Sequence, residues 1–214
     1  MIDLTSGINL TPESIKQAVS ASPPRFINKR EDSVENASDF PNMMYALWGF
    51  ICANRRYPTQ TEYMQYFLRI HPEVLFFLDE LAVKARLLRT FPSITREIHF
   101  YALVKESGFF QYVYYSALSD VEEGTDISVE CGGHNYGISC YVHTERSLEY
   151  RRRKRCRPRS PQVNSIELPL DLSSGTTVNG WSFYNENHVG VLLNHIIEYA
   201  SKNFNQGYLD VMGI

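Results

Sequence analysis

Apolar side chains recur at three- and four-residue spacing through the first half of this chain, and at every second position through much of the second half. The first spacing lines one face of a helix and the second lines one face of a strand. The pattern therefore predicts a helical N-terminal half followed by an α/β half. Thr11-Pro12-Glu13-Ser14 places a hydroxyl at an N-cap and proline at the first helical position, so a short helix is expected to about Ala21. Asn42 to Asn54 carries Met43, Ala46, Leu47, Phe50 and Ile51 on one face. Thr59 with Glu62 three residues later is a capping-box pattern, opening a helix with Tyr63, Tyr66, Phe67 and Ile70. Pro72 opens a third helix, burying Leu75, Leu78, Leu81 and Ala82. A fourth is expected to start at Ser93 and reach Ser107, with Gly108 beyond it as C-cap.

Between these, residues 22–41 carry prolines, charges, Asn and Ser with few large apolar side chains, and read as a linker or arm. Three short helices with tight connections allow a helix-turn-helix-like bundle or a plain support domain. No clear recognition helix is evident. Beyond Gly108, Gln111 to Ser116 is rich in Tyr and Val and suits a strand. Thr125 to Cys131 and Tyr136 to Thr144 alternate, with Gly132-Gly133 as the hairpin turn. Thr144 to Arg155 is polar and reads as helix, and Ser165 to Leu172 as strand. Gly175 to Gly180 reads as a loop and Asn187 to Ser201 as an amphipathic helix. The expected domains are a helical region 1–92 and an α/β domain 93–214.

Composition changes this picture little. The chain has 214 residues, 43% hydrophobic and 21% charged, as a globular protein requires. No apolar stretch is long enough to span a bilayer, and the start lacks the basic and apolar regions of a secretory signal. Four cysteines, Cys52, Cys131, Cys140 and Cys156, do not make a dense disulfide framework, so a cytoplasmic location is expected. The formal charge is −3, but it is unevenly spread: Arg146, Arg151, Arg152, Arg153, Lys154, Arg155, Arg157 and Arg159 stand close together. Guanidinium forks suit phosphate oxygens, so this run points to nucleic acid. A solvated face, or an acidic protein partner, is the rival account.

The order helix, three strands, helix, strand, helix from residue 93 resembles the core of the PD-(D/E)XK, or restriction-endonuclease-like, nuclease superfamily. In that family an acid ends the second core strand, and the next strand carries an acid or glutamine, a spacer and a lysine. Here Glu123-Gly124-Thr125-Asp126-Ile127-Ser128-Val129-Glu130 resembles the first motif, with Asp126 as the matching acid. Gly137-Ile138-Ser139-Cys140-Tyr141-Val142 resembles the second, with Ser139 at the acid position and Tyr141 at the lysine position. The resemblance implies an αβββαβα core and DNA as partner. It also implies a magnesium-dependent endonuclease of a restriction, defence or mobile-element system, or an inactive descendant kept for binding. In the active case Asp126 and Glu97 hold Mg, with Glu106 as a lesser substitute for Glu97. Lys154 is then the displaced cation, and Arg146, Arg151, Arg152, Arg153 and Arg155 hold phosphate.

Two other signals compete. Cys131-x-x-His134 and Cys140-x-x-His143 have zinc-like spacing, although Cys140 and His143 point to opposite faces of a continuous strand, which favours a buried thiol at Cys140. Glu130 and His143 could also join Asp126 in an altered metal site. Finally, the many tyrosines and the Phe76-Phe77 pair could line protein interfaces, making the helical half a partner-binding surface or the chain a structural subunit.

Overall fold

The computed structural model describes residue 8 and residues 10–116, 124–142 and 164–203. The chain divides into two compact units, one holding Leu4–His99 with Thr177–Ser182, the other Phe100–Thr176 with Phe183–Ile214. The first is helical and the second is built on a mixed sheet. None of the described helices is long and apolar enough to cross a membrane.

In the helical unit, local signals set the first elements. Helix α1 (Pro12–Ser20) starts on a capping box in which Thr11 and Ser14 exchange side-chain and backbone bonds. Residues 22–41 are mostly irregular, with a short helix α2 (Asp32–Glu35), and the stretch is tied down rather than free. Val34 is buried, its carbonyl accepts from the Arg86 guanidinium, and Glu35 pairs with Arg89. Helix α3 (Met43–Asn54) is capped by the Asn42 side chain, and α4 (Gln60–Ile70) by the expected Thr59–Glu62 box. Gly49 lets α4 approach α3: a Cβ there would sit 3.0 Å from the Tyr66 hydroxyl. The core is aromatic, with Phe91 stacked on Tyr63 at 4.9 Å and edge-on to Trp181 at 6.0 Å.

From Pro72 to Ser107 the structure differs from the sequence reading. A single turn, α5 (Val74–Phe77), is followed by one long helix, α6 (Glu80–Glu106), with Pro92 inside it and no break at Ser93. Proline has no N–H to give the carbonyl four residues back, here Leu88. That carbonyl is served instead by the buried Gln60 side chain, whose Nε2 donates to it at 2.8 Å. The same amide also pairs with the backbone of Arg25, donating to its carbonyl at 3.0 Å and accepting from its N–H at 2.7 Å.

The sheet unit takes Phe100 onward from α6. Strands β1 (Tyr112–Tyr114), β2 (Ile127–Cys131), β3 (His134–Val142) and β4 (Asn164–Leu170) form one sheet in that order. β1, β2 and β3 are antiparallel neighbours, and β4 runs parallel to β3 from Tyr136↔Asn164 to Val142↔Leu170. Gly132 and Gly133 both have positive φ, as a two-residue turn of this hand needs. Ile127, Val129, Tyr136, Ile138, Ile166 and Leu168 fill the buried face. Pro169 is tolerated because β4 is an edge of the described sheet. Helix α7 (Glu186–Asn203) packs beside β4 and sets Tyr199 edge-on to Tyr136 at 6.0 Å.

The stretch 175–180, expected as a loop, contains strand β5 (Thr176–Val178) and the turn to β6 (Trp181–Phe183), with positive φ at Asn179 and Gly180. Three-residue strands are too short to show alternation. The expected helix 144–155 lies outside the described residues.

Candidate functional site

The β2–β3 hairpin brings the two motif-like segments side by side. Asp126 extends the ladder one residue before β2, its N–H donating to the Ile138 carbonyl at 2.8 Å. Its carboxylate accepts the Cys140 N–H at 2.5 Å, so Asp126 brackets Ser139 from the neighbouring strand. Ser139 is buried, and its hydroxyl donates to the Gly124 carbonyl. On the other side of Ser139, in the parallel register, stands Glu167 of β4. Three polar residues from three segments thus lie in one row on the face away from Ile127, Ile138 and Ile166. Tyr141 occupies the next row, opposite Pro169.

Glu167 escapes the motif-based reading. Its position between Ile166 and Leu168 marks it as outward-facing, but only the parallel register says which residue of β3 it meets. Glu97 lies on α6 in the helical unit, while Asp126 belongs to the sheet unit, so the two do not make one site within either unit. Glu106, on the last turn of α6, falls in the sheet unit and is exposed. Lys154, His143, Arg146, Arg151, Arg152, Arg153 and Arg155 lie outside the described residues.

The row supplies two carboxylates, Asp126 and Glu167, but not at the motif positions of the resemblance. Hard divalent ions require several oxygen ligands, with carboxylates supplying charge. Here the second acid position is a neutral hydroxyl bonded to a backbone carbonyl, and the lysine position is a tyrosine. Among the described residues, no group of three or more His, Cys, Asp or Glu side chains is placed to hold a metal. Of the zinc-like pairs, Cys131 and His134 stand opposite each other at the hairpin turn, and His143 of the other pair lies outside the described residues. Cys131 is buried, and burial pushes its thiol pKa up, while Cys140 is only half-buried, against the expectation of a core thiol there.

A second cluster in the sheet unit has the look of a nucleophile relay. His188 is buried, with Nε2 3.2 Å from the Ser174 hydroxyl and Nδ1 2.8 Å from the Asn185 side-chain oxygen. Nε2, however, also lies 2.8 Å from the Asp171 carbonyl, a group that only accepts. Ser174 donates to the same carbonyl at 3.0 Å. The Asn185 N–H reaches Nδ1 at 3.1 Å, which makes the cluster a cap for the start of α7.

No protein-family model, no curated protein and no solved structure matches this chain.

Proposed function

We propose that this chain is a nuclease-fold protein that binds nucleic acid through its arginine-rich stretch 146–159 without cleaving it. The order of elements supports the reading: a helix, three antiparallel strands, a parallel fourth strand and a closing helix, around a mixed sheet. One observation carries the non-cleaving part. At the position that the resemblance reads as the second acid stands Ser139, whose hydroxyl donates to the Gly124 carbonyl, and at the lysine position stands Tyr141. The density of arginine in the sequence supports the binding part.

The test is a binding and cleavage assay on labelled DNA, single- and double-stranded, at low salt with and without magnesium. The expected result is salt-sensitive binding with no cleavage, weakened when Arg151, Arg152, Arg153 and Arg155 are changed to Glu. Absence of binding at low salt removes nucleic acid as the partner. A second reading, an active magnesium-dependent endonuclease, is favoured by Glu167, which adds a second carboxylate to the row holding Asp126. Magnesium-dependent cleavage lost in both Asp126→Ala and Glu167→Ala would establish that reading instead.

A further inference from the structure

The sheet unit carries an aromatic feature that the hairpin does not use. β1 is an edge of the described sheet, and Tyr112 and Tyr114 pair in register with Glu130 and Ser128. Val113 pairs with the buried Val129, so both tyrosines stand on the opposite, polar face. Their rings are near-parallel, 7° apart in plane, with centroids 6.2 Å apart. Tyr112 is 59% exposed, and Phe109, just before the strand, is 57% exposed.

Two rings in file along a strand, already aligned with one another, lose little freedom when a flat ligand lies on them. Unpaired nucleobases are such ligands: each has an aromatic face, and stacking on tyrosine is tolerant of sequence. Duplex DNA hides those faces, so the platform selects single strands. Directly opposite Tyr112, the Glu130 carboxylate repels phosphate; it already takes a hydrogen bond from the Tyr114 hydroxyl and keeps acceptor capacity for the N–H donors of a base. The chain also carries eight basic residues between 146 and 159, a charge that complements a nucleic-acid strand.

We infer that Tyr112 and Tyr114 are a stacking platform for unpaired bases of a single-stranded nucleic acid, with Glu130 accepting from a base amino group. The inference rests on the nucleic-acid reading above. It is tested on the full chain by fluorescence anisotropy with labelled oligo(dC) and with an abasic strand of equal length, which keeps the phosphates and lacks the bases. The wild type should prefer oligo(dC). Tyr112→Leu with Tyr114→Leu should weaken oligo(dC) binding by roughly tenfold or more and leave the abasic strand unaffected, while the paired Tyr→Phe changes should retain the preference. Should the double Leu variant fail to fold by circular dichroism, Tyr112→Ala alone, at a largely exposed ring, gives the same comparison. Equal wild-type affinity for the two strands, or oligo(dC) binding unchanged without the rings, overturns the platform and leaves the nucleic-acid reading intact. Failure to bind either strand or a duplex overturns both.

Discussion

His99 shows how a single buried group ties the stability of the helical unit to pH. It is fully buried on α6, and burial, aided by repulsion from Lys16, lowers its pKa from 6.5 to about 3. The imidazole is therefore neutral in the folded protein, while the unfolded chain takes up a proton as pH drops through 6.5. Its contribution is fully present above that value and falls by about 1.4 kcal/mol per pH unit until about pH 3. Glu62 acts lower: the Arg56 guanidinium holds its carboxyl at about 2, against an ordinary 4.5, so its smaller, solvent-screened contribution is lost only below 4.5. Urea midpoints measured between pH 6.5 and 4.5 should fall for the wild type and stay nearly level for His99→Leu. Equal slopes for the two proteins would exclude His99 as the source.

At the scale of elements, what the sequence reveals depends on how far away the deciding partner lies. The starts of α1, α3 and α4 are legible because Thr11, Asn42 and Thr59 cap their own helices within three residues. The continuation of α6 through Pro92 is not, because the Leu88 carbonyl is answered by Gln60, 28 residues away. The same division applies to the candidate site. A two-glycine turn fixes the β2–β3 register, so Asp126 and Ser139 can be paired from sequence alone. Glu167 reaches that row only through a parallel ladder whose register no local signal sets. Gln60→Leu should cost about 3 kcal/mol, since it strips partners from Leu88 and from both backbone groups of Arg25. In a Pro92→Ala background, Leu88 regains an N–H within the helix, and the same substitution should cost less. A double-mutant cycle by urea denaturation measures the difference; additive costs would show that Gln60 does not compensate for the proline.

For the whole molecule, net charge is a poor guide to partners. A formal charge of −3 coexists with eight basic residues between 146 and 159. If that stretch meets phosphate, affinity for a DNA duplex should fall steeply with salt, by close to one log unit per log of salt for each contact. Replacing Arg151, Arg152, Arg153 and Arg155 with Gln should flatten the slope by about 3.6, one step of about 0.9 for each lost contact. A slope that does not change would place the phosphate contacts elsewhere on the chain.

The parallel pairing of β3 with β4 also has a consequence on the ribosome. β3 is complete at Val142, but the strand that covers its second edge begins only at Asn164. Until β4 has also left the ribosome, a nine-residue strand, His134–Val142, stands with one row of backbone donors and acceptors lacking its sheet partner. Newly made chains are thus most prone to clump in that interval, and a product terminated before Asn164 would keep the sticky edge permanently.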